Sequence, residues 1–150
     1  MENIAAELAI RNLVGLYADA VNRRDKDDWA KVWAEDGEWI LPDLMGTGEP
    51  RVMKGRDNVV EVWYNTMQLF SFVAHIVYSG TIEVQGDTAT SRWYISENLI
   101  GADNTHMTLF GVYNDENVKV EDKWLYKKRV FRPIYTGPAD LSGQVMQYTN

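Results

Sequence analysis

Apolar side chains at Ile10, Leu13, Val14, Tyr17 and Val21 recur at helical spacing with a broad buried stripe. The pattern predicts a helix from about Asn3 to Asn22, with Glu2 and Glu7 near its start and Arg23 and Arg24 at its end, as the helix dipole favours. A charged corner follows, Arg24-Asp25-Lys26-Asp27-Asp28. Asp27 or Asp28 can cap a second helix with Trp29, Val32 and Trp33 on one side, and Gly37 is placed to end it. Trp39, Ile40 and Leu41 then read as a short strand stopped by Pro42. From Asp43 to Gly55 the period is lost among Gly and Pro residues. That stretch is a loop, either a plain connection or, between Asp43 and Arg51, a lid over a pocket. Gly55-Arg56-Asp57 opens a third helix in which Val59, Val60, Trp63 and Met67 share a face.

From Phe72 the period changes to two. A strand through Val73, His75 and Val77 bends or bulges at Gly80 and resumes through Ile82 and Val84. Gln85-Gly86-Asp87 turns it into a second strand, about Thr88 to Ile100, and Gly101-Ala102-Asp103-Asn104 makes the next turn. The third strand carries His106, Thr108, Phe110 and Val112 on one face. Glu121-Asp122-Lys123 leads into a fourth, Trp124 to about Tyr135. Helices first and an antiparallel meander afterwards predict an α+β fold, with three helices packed on one face of the sheet. Long strands broken by Gly can curl, so that helices and sheet enclose a cone.

Composition narrows the picture. At 150 residues the chain reads as one domain, with a core over about residues 5–135 and an irregular C-terminal tail. A net charge of -7 argues against nucleic acid and anionic membranes as partners, since phosphate binding needs a basic patch. Zero Cys excludes disulfides, thiolate catalysis and Cys-based metal sites. No apolar run approaches bilayer length and no signal segment is visible, so a cytoplasmic location is expected. Six Trp and eight Tyr either fill a core or wall a pocket for a ring-shaped ligand.

With two His in the chain, acid–base candidates near neutral pH are few. His75 lies among apolar residues on its strand face, and Asp25 stands in the corner between aromatic-rich segments. If the two meet, the carboxylate fixes the tautomer of the imidazole and leaves its other nitrogen as a base. Taken singly, each also has an ordinary structural reading.

An ordered set of residues carries a resemblance: Ile10-Arg11-Asn12-Leu13 with Tyr17, Asp25 with Trp29, Glu38-Trp39, Lys54-Gly55, His75 before Ser79-Gly80, Gly111-Val112-Tyr113, and Trp124 leading to Lys128-Arg129. In these the chain resembles the SnoaL-like branch of the NTF2-like, or cystatin-like, superfamily. That branch includes scytalone dehydratase, bile acid 7α-dehydratase and lindane dehydrochlorinase. The resemblance implies a cone-shaped α+β barrel and a cofactor-independent lyase acting on a small hydrophobic, cyclic substrate. In it His75 abstracts a proton from carbon, Asp25 orients His75, and Arg129 steadies a leaving group or developing anion. From pattern alone Arg129 is equally one charge of an exposed Lys127-Lys128-Arg129 run. Tyr17 either donates a hydrogen bond to substrate or packs the first helix, and Trp39 is a wall of the site. Arg24 is a departure, since scytalone dehydratase carries Tyr there. The resemblance also admits an isomerase or cyclase of the ketosteroid isomerase type, and a non-catalytic module such as a dioxygenase β-subunit. A homodimer or homotrimer is expected, because an aromatic-rich sheet face is seldom left wet.

Overall fold

The structure, a computed structural model, describes residues 2–43 and 48–146. Helices α1 (Glu2–Arg23), α2 (Lys26–Ala30) and α3 (Arg56–Met67) accompany six strands: β1 (Trp33–Leu41), β2 (Arg51–Lys54), β3 (Phe70–Gln85), β4 (Thr88–Gly101), β5 (His106–Val120) and β6 (Lys123–Pro138). The strands form one sheet in the order β2-β1-β6-β5-β4-β3. All neighbours are antiparallel except β1 and β6, which run parallel. The result is the expected α+β cone, but the sheet curls without closing: β2 and β3 remain as its two edges.

The long hairpins follow from their turns. Gln85 pairs with Thr88 around Gly86-Asp87, and Val120 with Lys123 around Glu121-Asp122. Gly86 has φ 61°, and Glu121 and Asp122 have φ 47° and 64°, the left-handed backbone that two-residue hairpin turns require. The bend expected at Gly80 is a register shift between Val77 and Gly80. A Cβ at Gly80 would lie 2.2 Å from the Trp93 ring, so the close approach of β3 and β4 there requires glycine.

Two local readings are corrected. The second helix spans five residues, and Trp33 begins a strand instead of ending that helix. Trp33 pairs with Tyr126 on β6, and the Tyr126 N–H donates to the Val32 carbonyl at 2.8 Å. Strand pairing and full burial of the indole thus outweigh a short helical spacing. The supposed loop also contributes a strand, since Val52 and Met53 pair with Ile40 and Trp39. Of the lid candidate Asp43 to Arg51, residues 44–47 lie outside the described residues.

Inside the curl, α1 contributes Ile10, Leu13, Val14, Tyr17 and Val21, and α3 contributes Val59, Val60, Trp63 and Met67, matching the predicted faces. Trp29 stacks on Trp63 with ring centroids 4.3 Å apart. All six Trp are buried, which makes them core residues first.

Candidate active site

His75 lies on the concave face of β3 between Val73 and Val77 and is 2% exposed. The hairpin register sets it directly opposite Glu97 on β4. Its backbone N–H and C=O both turn away from β4, towards Asn22 of α1. The two residues therefore form a non-hydrogen-bonded cross-strand pair, the kind in which side chains come closest. His75 Nδ1 stands 2.6 Å from Glu97 Oε1. An ionised carboxylate only accepts, so in a neutral ring the proton sits on Nδ1 and the lone pair on Nε2. Among the described residues, the buried His75 Nε2 has no hydrogen-bond partner.

The carboxylate expected beside His75 was Asp25, and here the structure corrects the sequence reading. Asp25 Oδ1 accepts the Asp28 N–H at 2.9 Å, and its Oδ2 accepts from Arg23 Nη1 at 2.8 Å. Its side chain keeps 34% of its surface exposed. Among the described residues the carboxylate within ion-pair reach of His75 is Glu97. The physical reason is local: α2 begins at Lys26, its first N–H groups need an acceptor, and Asp25, not Asp27 or Asp28, is the cap. The Asp28 N–H first, and Arg23 second, hold the Asp25 carboxyl below its ordinary range.

Arg129 is fully buried, not part of an exposed run. Its neighbour Lys128 pairs with Glu116 at 3.4 Å and remains partly exposed, whereas Arg129 turns inward between Asp115 on β5 and Trp39 on β1. Arg129 Nε donates to Asp115 Oδ1 at 3.0 Å. The guanidinium carbon lies 3.8 Å from the Tyr113 ring centroid, 4.1 Å from that of Tyr17 and 4.3 Å from that of Tyr126. Among the described residues no group forms a well-aligned hydrogen bond with the buried Nη1 and Nη2, though the Tyr126 phenol lies close enough to be drawn to the guanidinium. Burial opposes the Arg129 charge, but the Asp115 carboxylate favours it and raises its pKa above the ordinary value. Burial pushes Asp115 up to about 6 against the pull of Arg129 and Ser91. Burial also raises all three phenols, so they stay protonated.

Tyr17 joins the two halves of this cluster. Its ring centroid is 5.7 Å from that of His75, its face meets Arg129, and its hydroxyl is 3.5 Å from that of Tyr113. Trp39 is buried against Trp29, its indole N–H without a partner among the described residues. His106 begins β5 and is partly exposed.

Sequence reasoning assigned no site role to Glu97, Asp115, Tyr113 or Tyr126. Glu97 was within reach: counting outward from the Gly86-Asp87 turn, with one extra residue at Gly80, places it opposite His75. Asp115 depends on a second irregularity between Glu116 and Asn117, which no glycine marks. The chemistry also does not coincide with open space. A cleft of about 1110 Å³ is lined by Ala34, Asp36, Arg56, Glu83, Asn117 and Lys127 among others, and does not include His75, Tyr17 or Arg129. Around Arg129 the tyrosine rings fill the interior.

Residues 2–130 match the model of the SnoaL-like domain. The chain belongs to the SnoaL-like domain family. An uncharacterized protein of Mycobacterium tuberculosis strain H37Rv is 28% identical over 130 residues, which cover 85% of this SnoaL-like chain and 84% of the relative. A proposed aromatic ring hydroxylase from Novosphingobium aromaticivorans superposes with a TM-score of 0.79 at 27% identity, covering 91% of this chain and 94% of its own. The hexachlorocyclohexane dehydrochlorinase LinA-type3 from Novosphingobium barchaimii shares the fold, with a TM-score of 0.82 at 20% identity and 97% of each chain covered. No described helix of the SnoaL-like chain is long and apolar enough to cross a membrane.

Proposed function

We propose that this SnoaL-like protein is a cofactor-independent lyase of dehydratase or dehydrohalogenase type, acting in the cytoplasm on a small hydrophobic, cyclic substrate. One observation carries the reading: a buried imidazole with Nδ1 tied to a carboxylate and Nε2 without a partner among the described residues. Nε2 takes a proton from substrate carbon, the electrons of that C–H bond form the double bond, and the leaving group departs with its own pair. Glu97 stabilises the imidazolium and takes the orienting role that the resemblance implied for Asp25. Arg129, whose Nη1 and Nη2 make no well-aligned hydrogen bond among the described residues, steadies the departing anion or a developing oxyanion in a dry site. Tyr17 donates a hydrogen bond, and Trp39 walls the site. Since aromatic rings enclose Arg129, a ring-sized molecule enters only as those side chains move.

The test is a screen of cyclic ketones, diphenols and halogenated rings against wild type, His75→Ala and Glu97→Gln. Loss of the base costs about a hundred- to ten-thousand-fold in rate, and the Gln variant loses part of that. A folded His75→Ala variant that turns over a confirmed substrate at the wild-type rate sinks the mechanism.

The packed surroundings of Arg129 favour a second reading, a ligand-binding or assembly module. In that case compounds from the same panel bind without being consumed. Either reading is compatible with a homodimer or homotrimer formed through the outer sheet face. There Ile76, Ser96, Phe110 and Tyr135 form one row across β3, β4, β5 and β6, with three exposed apolar side chains.

A further inference from the structure

We infer that Asn22 is a positioning residue for His75, a role that rests on reading His75 as the base. β3 is an edge strand, paired with β4 on one side only. At His75 the free edge presents a backbone N–H and C=O that no further strand among the described residues satisfies. Asn22, in the last turn of α1, supplies both missing partners: its Oδ1 accepts the His75 N–H at 2.8 Å, and its Nδ2 donates to the His75 carbonyl at 2.8 Å. A side-chain amide carries one acceptor and one two-proton donor, so it reproduces the face of a neighbouring strand at a single residue. The second Nδ2 proton goes to the Ala18 carbonyl at 2.9 Å, which fixes the rotamer from within α1.

The clamp acts on the ring through register. It holds the His75 N–H and C=O on the edge side, and that choice keeps His75 and Glu97 a close, non-hydrogen-bonded pair. Releasing the clamp frees this stretch to twist or fray next to the bulge at Gly80, and the Nδ1–Glu97 contact loosens with it. Asn22 therefore fixes the tautomer of His75 without touching the ring.

A second tie between the same elements serves as a control. Arg24 Nη1 donates to the Phe70 carbonyl at 2.8 Å, five residues before His75 on β3. If Asn22 only docks α1 on β3, losing either tie has the same effect.

The experiment follows the His75 ring by ¹⁵N and ¹H resonance and its backbone amide by hydrogen exchange, in the full chain. Wild type, Asn22→Ala, Arg24→Asn and Glu97→Leu are compared, each checked for cooperative unfolding. Asn22→Asp, which removes the donor to the His75 carbonyl, stands in with the same expectation if the Ala variant does not fold. Asn22→Ala is expected to speed exchange of the His75 amide and of its Nδ1 proton by at least about tenfold, while Arg24→Asn leaves both nearly unchanged. A folded Asn22→Ala variant with wild-type exchange at both sites overturns the clamp, as does an Arg24→Asn variant that moves them equally. Glu97→Leu, which leaves no acceptor for the Nδ1 proton, separates the two levels. If its imidazole keeps the wild-type tautomer and exchange, the reading of His75 and Glu97 fails before any question of Asn22 arises.

Discussion

At the scale of single residues, Arg129 shows how far this interior departs from a plain apolar core. A guanidinium with no solvent contact persists because Asp115 supplies the countercharge and three tyrosine faces supply quadrupolar attraction. Replacing Arg129 by Leu leaves Asp115 buried without its cation, and such a loss costs about 3–5 kcal/mol at neutral pH. The pH dependence has a definite sign. Asp115 in the fold already titrates near 6, above its ordinary 3.8, so ionising it works against folding. Its favourable contribution is complete below pH 3.8 and is lost as pH rises through about 6. Without Arg129 the folded value climbs further. Urea midpoints should thus show Arg129→Leu most deficient near pH 8 and recovering as the buffer is acidified towards pH 5. A deficit that grows on acidification contradicts this assignment.

At the scale of elements, the α1–α2 corner is a junction held by Asp25. Arg23 gathers Asp19, Asp25 and Asp28 at 2.9, 2.8 and 2.7 Å, and Asp25 caps α2. Asp25→Ala removes both the cap and the ion pair, so it should lower the denaturation midpoint more than Asp25→Asn, which keeps an acceptor for the Asp28 N–H. Because the Asp25 carboxyl lies below its ordinary value, its charge stabilises the fold above pH 3.8 and ceases to do so as pH falls through the depressed value. Asp25→Asn should flatten that part of the acid limb. The β3–β4 hairpin has its own sensitive point. Gly80→Ala places a methyl 2.2 Å from the Trp93 ring and 2.4 Å from the Arg92 carbonyl, an overpacking expected to cost about 1–3 kcal/mol in chemical denaturation.

At the scale of the whole molecule, what could be read from sequence was what is local. The faces of α1 and α3, the hairpin turns and the bend at Gly80 each depend on side chains within a few positions, and all appear in the structure. Partners across strands were harder. Pairing in a long hairpin shifts with every bulge, so Glu97 and Asp115 came opposite His75 and Arg129 only once those irregularities were placed. Asp25 was misassigned because the demand of α2 for a cap is a backbone requirement, invisible in a motif that records residue types. Trp33 was misassigned because β6, nearly a hundred residues later, decides its conformation.

That last dependence has a temporal side. Trp33 and Trp39 find their lateral neighbours at Tyr126 and Arg129, near the end of the matched domain. On a ribosome the opening strand can gain β2 and the Trp29 ring early, but its β6 side must wait until the final hairpin has emerged from the exit tunnel. A chain stalled within β5 lacks the seam that unites the two halves of the sheet, leaving a sticky nascent species for chaperones to hold.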